Sequence, residues 1–166
     1  MSTPDTAGLR IRSAVRAILL TPDSSLLLVR FEFPGGTVWA LPGGGVDPGE
    51  SYLEALHREL DEEVGIVAAD VGPHVWTRLY VGPFADDAWD GQEDRYHLVL
   101  VPDRFEPTPA MSWEELRAER LHELRWWHLD EITAATDITF APSRLGELLG
   151  SLASDGVPAA PIETGA

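Results

Sequence analysis

The sequence predicts an α+β fold in a single domain over residues 1–166. Its length is that of one domain, which can bury a core without disulfides or a structural metal. Segments rich in β-branched residues are mixed with helical patterns in no repeating order, which is typical of the α+β class. The chain has no cysteine, which excludes disulfides, thiolate catalysis and cysteine-ligated zinc. Because no apolar run approaches the roughly 18 residues of a membrane span, and the polar first residues do not resemble a signal peptide, we expect a cytoplasmic protein.

In the first half of the chain, apolar and β-branched runs bounded by turn residues predict three strands. The runs on either side of the turn at 21–25 should form a hairpin. The stretches 42–45 and 47–49 are rich in Pro and Gly and predict a loop without regular structure, and residues 1–9 are expected to be a loose tail. The predicted strands are Ile11–Leu20, 26–31 and 38–41.

A helix is predicted directly after this loop. Ser51 and Glu54 have the spacing of a capping box, so Ser51 is the expected N-cap. The helix should end near Val64, since Gly65 stands where a C′ glycine is usual. Its apolar residues fall within a sector of about 80° at 100° per residue, which predicts one buried face. These residues are Leu53, Leu56, Leu60 and Val64.

The second half is predicted to add three strands and three helices. Ser112 is the expected N-cap of the first helix. The acidic stretch 86–94 predicts a loop, and residues 153–166 are expected to be a loose tail because Pro, Ala and Gly dominate them. The predicted strands are 74–81, 96–101 and 124–128, and the predicted helices are 111–121, 130–135 and 142–152.

The charge of the chain limits its partners. The formal net charge is −16, from 28 acidic and 12 basic residues, and every basic residue is arginine. Such a field repels nucleic acid polymers and anionic membranes, so we expect a small-molecule partner; a homodimer stays possible. The acidic excess serves either solubility or the binding of divalent cations, which in turn bind anionic substrates.

Three glutamates on the predicted helix favour the binding of divalent cations over solubility as the role of the acidic residues. Glu59, Glu62 and Glu63 have i, i+3, i+4 spacing and cover about 100° of the helix surface. They repel one another, and a cation between them reverses the sign of that interaction. Oxygen ligands select Mg²⁺, Mn²⁺ or Ca²⁺ over zinc. A solvated helix face is the alternative, but the preceding glycines favour a site, because they let bare backbone approach a ligand or metal.

The spacing of these residues resembles the Nudix box. In that family, Gly is followed after five residues by Glu, and after seven more by Arg-Glu, an aliphatic residue, any residue, Glu-Glu, any residue, Gly and an aliphatic residue. Residues 39–42 before the box and 123–127 near the end also look similar to the family. In this chain the box positions are Gly44, Glu50, Arg58, Glu59, Leu60, Glu62, Glu63, Gly65 and Ile66.

The resemblance implies a MutT-like Nudix α/β/α sandwich with a mixed central sheet. It implies Mg²⁺-dependent hydrolysis, with Mn²⁺ as a possible substitute, of a pyrophosphate bond in a nucleoside diphosphate linked to another group. The implied metal ligands are Glu59, Glu62, Glu63 and the backbone carbonyl of Gly43. Glu59 and Glu62 would also be catalytic, and Arg58 would orient the glutamates.

Residues outside the box are harder to assign. The family usually takes one further carboxylate from a loop, as a ligand or as the base; Glu93 is the candidate here and Asp94 the alternative. Arginine suits bidentate phosphate contact, and Arg30, Arg78 and Arg95 are candidates for substrate binding, with surface ion pairs as the alternative.

Three other functions compete with hydrolysis, and one of them, a calcium-binding or purely structural acidic protein, is disfavoured because no stretch follows the EF-hand loop pattern. A Nudix-like domain could bind a ligand as a regulator without turnover, but such domains tend to lose box glutamates, which this chain keeps. Prenyl diphosphate isomerisation on this fold uses a cysteine that the chain lacks. The box leaves the substrate open among ADP-ribose, nucleotide sugars, nucleoside triphosphates and dinucleoside polyphosphates.

Overall fold

The computed structural model describes residues 4–84 and 87–165, which form nine strands and four helices. The strands are β1 (Ile11–Leu20), β2 (Ser25–Phe33), β3 (Gly36–Ala40), β4 (Gly43–Gly45), β5 (His74–Phe84), β6 (Trp89–Leu100), β7 (Leu121–His128), β8 (Phe140–Ala141) and β9 (Ile162–Glu163). The helices are α1 (Tyr52–Glu63), α2 (Trp113–Ala118), α3 (Leu129–Ala134) and α4 (Leu145–Asp155). Within this described part of the chain, no helix is long and apolar enough to cross a membrane.

Strand β1 is the axis of a mixed sheet. One edge of β1 pairs in parallel with β6 along its whole length. The other edge is divided, with β2 antiparallel at Leu20 and β4 antiparallel at residues 14–16. The sheet continues in the order β8-β3-β2-β1-β6-β5-β9, and β7 pairs with β2. Because β4 pairs with the middle of the axial strand, the glycine-rich stretch lies at the centre of the fold.

Helices cover both faces of this sheet. Leu56 and Leu60 of α1 are fully buried on one face against Val15. On the other face, Leu145 and Leu149 of α4 are fully buried in a second cluster. Burying each leucine contributes about 1.5–3 kcal/mol relative to leaving it exposed. The layering confirms the predicted α+β class with a mixed central sheet.

Helix α1 has the predicted ends but a different buried face. Ser51 caps it in a reciprocal capping box with Glu54, and Gly65 follows in a left-handed conformation with φ 88°. Leu53, however, is 49% exposed, so its predicted burial was wrong. The helix is rotated so that Glu59 and Glu63 turn towards the protein, and the first-turn leucine is left uncovered.

Three further expectations differ from the structure. The segment 43–45 is not irregular, because its backbone pairs with β1 as strand β4. Residues 89–94 are not a loop, because β1 and β5 supply backbone partners on both edges and β6 therefore begins at Trp89; residue 86 of that predicted loop lies outside the described residues. The segment 153–166 is not simply a loose tail, since α4 continues to Asp155 and β9 pairs with β5.

Candidate active site

Strand β4 and helix α1 meet through backbone and carboxylate atoms. The N–H of Gly43 donates a hydrogen bond to Glu63 Oε2 at 3.0 Å. A Cβ added to Gly44 would lie 2.4 Å from Glu59 Oε1, so only glycine lets that carboxylate lie against the backbone. Gly43 has φ 143°, and a Cβ there would lie 2.1 Å from the carbonyl oxygen of Val15. The glycines are therefore required by close approach on both sides of the strand.

Arg58 is the centre of an ion-pair network on α1. Its Nε and Nη2 donate to the two oxygens of Glu50 at 2.8 and 2.9 Å, a bidentate pair. Its Nη1 donates to Glu59 Oε1 at 2.9 Å and lies 3.4 Å from Glu62 Oε2. Nη2 also donates to the carbonyl of Gly45 at 3.0 Å. The hydrogen bonds from Arg58 hold the pKa of Glu50 down at about 2, so one guanidinium links the start of the helix, its carboxylates and β4.

Burial gives Glu59 and Glu63 unusual protonation behaviour. They are only 7% and 3% exposed. Burial, together with repulsion from the Glu59 carboxylate, raises the pKa of Glu63 to about 8. Burial also raises the pKa of Glu59, although Arg58 opposes this shift. A cation beside two such carboxylates would favour their ionised forms.

The donor set has the chemistry of a site for a hard divalent cation. Glu59, Glu62, Glu63 and the carbonyl of Gly43 offer oxygen alone, which suits Mg²⁺ or Mn²⁺. In the arrangement adopted by residues 4–84 and 87–165, no three His, Cys, Asp or Glu side chains converge closely enough to hold a metal ion. Glu59 is turned to Arg58 and Glu63 to the Gly43 amide. Coordination would therefore require these carboxylates to exchange their present partners.

A buried polar cluster lies on the sheet face opposite helix α1, where β1, β6 and β5 run side by side. Arg16 Nε donates to Asp94 Oδ1 at 2.9 Å, and these side chains are 12% and 2% exposed. Gln92 Nε2 donates to the same oxygen at 2.9 Å. Arg78 Nη1 contacts Asp94 Oδ2 at 3.3 Å, while its buried Nε has no hydrogen-bond partner among the described residues.

The three predicted substrate arginines lie in three different places. Arg78 is in the cluster just described. Arg30 is engaged on β2 by Glu123 at 2.9 Å and also by Glu32. Arg95 lies over the ring of Tyr52, with 4.0 Å from its Cζ to the ring centroid, and belongs to the opposite sheet face from Asp94 because neighbouring strand residues alternate. The structure therefore brings only one of the three to a buried polar cluster.

The two predicted base candidates are both in strand β6. Glu93 is partly exposed, 3.9 Å from Arg95. Asp94 is buried, and its two oxygens already accept from arginine and glutamine side chains. Neither residue lies on a mobile loop, because each pairs with β1 and β5. Both candidates therefore lie in a paired strand and not in the loop that the sequence analysis expected.

A carboxylate that the sequence analysis missed is Glu119. It ends α2, and its charge acts on both Glu62 and Glu63. Burial and repulsion from Glu62 raise its pKa. The segment before α2 is fastened to the end of α1 by backbone bonds, including Met111 N–H to the carbonyl of Glu62 at 3.1 Å. No local motif marks Glu119, because its position depends on this docking.

Comparison with known proteins places the chain among Nudix sequences. The NUDIX domain family matches residues 10–148. An RNA pyrophosphohydrolase of Helicobacter pylori is 35% identical over 109 residues, which cover 55% of this chain and 64% of that protein. A nucleoside triphosphatase NudI of Salmonella arizonae is 43% identical over 76 residues, 43% of this chain and 49% of that protein. The chain thus spans from about half to under two thirds of these curated relatives.

Solved structures show the same fold. The E. coli ORF135 protein superposes with a TM-score of 0.62 at 27% identity, covering 95% of this chain and all of that one. The likeness therefore extends beyond the box to nearly the whole chain.

Proposed function

The chain belongs to the NUDIX family, and from that premise we propose that it hydrolyses a pyrophosphate bond in a nucleoside diphosphate linked to another group, with Mg²⁺ or Mn²⁺ bound. The observation that carries the proposal is the pair of buried carboxylates, Glu59 and Glu63, held against the backbone of β4 beside Glu62. Such a pair is unfavourable in the charged state unless a cation accompanies it.

Each residue of the candidate site has a separate role in this proposal. Glu59, Glu62, Glu63 and the carbonyl of Gly43 would hold the cation, which neutralises phosphate oxygens and lowers the pKa of a water. Arg58 fixes the directions of the glutamates through its bonds to Glu59 and to the carbonyl of Gly45. A carboxylate beside the cation site takes the proton of the attacking water, and no covalent enzyme intermediate is needed.

Glu119 is our choice for the proton acceptor. Repulsion from Glu62 contributes to raising the pKa of Glu119, and Glu119 in turn contributes to raising the pKa of Glu63. Burial raises the pKa of Glu119, which brings a carboxylate closer to the operating pH of a general base. Glu93 remains the alternative suggested by the sequence.

The substrate is a small nucleotide bearing at least two linked phosphates. Arg78 is our candidate to bind it, because its guanidinium lies in the polar cluster beside Asp94 and guanidinium groups suit phosphate oxygens. Nucleoside triphosphates are favoured within this class by the similarity to a nucleoside triphosphatase.

A second candidate substrate is the 5′-triphosphate end of RNA. The similarity to RNA pyrophosphohydrolases favours it. The net charge of −16 opposes binding of a long polyanion, so we place it second. Binding of a nucleotide without turnover is the remaining alternative.

A substrate panel with chromatographic separation of the products as the readout tests the proposal. The panel holds nucleoside triphosphates, ADP-ribose, a nucleotide sugar, a dinucleoside polyphosphate and a short 5′-triphosphate RNA. We expect turnover of a small nucleotide with Mg²⁺, its loss with a chelator and its return with Mn²⁺. Glu63→Gln removes one charge at similar size and should lower kcat by at least about 100-fold.

The outcomes separate the alternatives. Turnover that persists in metal-free buffer would refute the metal-dependent mechanism. Faster hydrolysis of the 5′-triphosphate RNA than of the small nucleotides would make the RNA end the preferred substrate. Nucleotide binding without hydrolysis of any panel member would make the chain a ligand-binding domain.

A further inference from the structure

Arg16 connects the buried cluster to the strand that would offer the cation its carbonyl ligand. Its Nε faces Asp94, as described, while its Nη1 donates to the carbonyl of Leu41 at 3.2 Å and lies 3.4 Å from the carbonyl oxygen of Gly43. The amide of that same glycine donates to Glu63. One guanidinium is therefore joined, through the single residue Gly43, to a carboxylate of the candidate cation site.

The segment between β3 and β4 needs such support. At residues 41–43 the chain leaves its pairing with β2 and starts to pair with β1. Strand β4 has only three residues, so few backbone bonds hold the crossover. The side chain of Arg16 adds contacts to two carbonyls there.

Asp94 holds Arg16 in that position. Burial alone would lower the pKa of Arg16, but the surrounding acidic groups, Asp94 foremost, together raise it, so the guanidinium remains charged. The carboxylate also accepts from Gln92 and Arg78, which limits its own movement. A guanidinium that donates hydrogen bonds to groups on two sides is less free to move than the ammonium of a lysine side chain.

We propose that Arg16, anchored by Asp94, is a positioning residue that sets the place of the Gly43 carbonyl in the cation site and, before the cation binds, the place of Glu63. Asp94 then acts on arginine and not on the attacking water. The inference rests on the proposed function only for its metal-binding consequence; the hold on the 41–45 segment is a property of the metal-free chain.

Two measurements test the proposal on the purified full chain. The first is hydrogen exchange at residues 41–45 in metal-free buffer, and the second is Mn²⁺ affinity from electron paramagnetic resonance. In Arg16→Met we expect the Gly43 amide to exchange at least about tenfold faster and Mn²⁺ to bind about 10- to 100-fold more weakly. Asp94→Asn should change both readouts in the same direction, because it removes the charge that holds the arginine.

Arg16→Met leaves Asp94 buried without its charged partner and could fail to fold. Arg16→Lys keeps a positive charge beside Asp94 and therefore serves as a second, more conservative variant. Its ammonium has no fork to reach the aspartate and both carbonyls together, so it should also weaken Mn²⁺ binding. The matched control is Arg10→Met, which breaks an exposed pair with Asp90 that likewise joins the β1 and β6 ends of the sheet. We expect the control to leave both readouts unchanged.

Wild-type exchange at 41–45 in folded Arg16→Lys and Asp94→Asn would overturn the proposal. So would faster exchange spread evenly over β1 and β6, because that would show a general structural role. If the wild-type chain itself binds no Mn²⁺, the metal-dependent function fails, and the exchange measurement alone decides whether Arg16 positions the segment.

Discussion

Replacing Arg58 with lysine keeps the positive charge but removes the planar guanidinium with its several hydrogen-bond donors. In the structure, Arg58 makes four side-chain hydrogen bonds of 2.8 to 3.0 Å, two to Glu50, one to Glu59 and one to the carbonyl of Gly45. A lysine ammonium can retain roughly one or two of them in this geometry. Each lost bond to a charged partner contributes about 1.5–3 kcal/mol when buried, less here because Arg58 is 30% exposed.

We therefore expect Arg58→Lys to lower the free energy of unfolding by about 2 to 4 kcal/mol. For a chain of this size that corresponds to a fall in Tm of about 4 to 15 °C. Because Glu59 and Glu62 lose their common partner, kcat should fall by at least about tenfold. Thermal unfolding and steady-state kinetics with Mg²⁺ measure the two effects.

A surface pair supplies the control. Arg144 and Glu147 form an ion pair on α4 with side chains 52% and 65% exposed, so Arg144→Lys should shift Tm by less than about 1 °C. If Arg58→Lys matched this control in Tm and kept kcat within about twofold of wild type, Arg58 would be one more surface arginine and the network around it would have no role.

Two predictions concern carboxylates. For Glu63, the folded-state pKa of about 8 lies above the ordinary value of 4.5, so the folded chain binds the extra proton and metal-free stability should fall as pH rises from about 4.5 to 8. Glu63→Gln should flatten this slope in pH-dependent thermal unfolding; an unchanged slope would show that Glu63 titrates normally. For the proton acceptor, Glu119→Gln should lower kcat by at least about tenfold with Mn²⁺ affinity nearly unchanged, while Glu93→Gln should change neither. The reverse pattern would return the role to Glu93.

Local sequence patterns correctly predicted most structural features of the Nudix box. The capping box of Ser51 and Glu54, the start and end of α1 and the common face of Glu59, Glu62 and Glu63 all follow from a period of 3.6 residues. What periodicity could not supply was the rotation of the helix. The structure exposes Leu53 and turns Glu59 inward, because the helix packs to satisfy the glycine strand as well as the apolar core.

Most errors in the predicted secondary structure arose because the sequence does not show which strands pair. The acidic residues 89–94 looked like a loop because their composition is polar, yet β1 and β5 provide hydrogen-bond partners on both sides. Polar composition predicts a loop only where no neighbouring strand can satisfy the backbone. The same omission made the glycines of β4 look irregular.

The sequence by itself determined the family, the helix with its three glutamates and the reaction class that they suggest, since these depend on residues close together in the chain. Tertiary structure alone decided which distant charges join them. Arg16 meets Asp94 across 78 positions of sequence, and the charges of Glu119 and Glu62 interact because the segment before α2 is fastened to the end of α1. Helix geometry repeats within a few residues, whereas the register of a sheet and the docking of a helix are set by contacts over the whole domain.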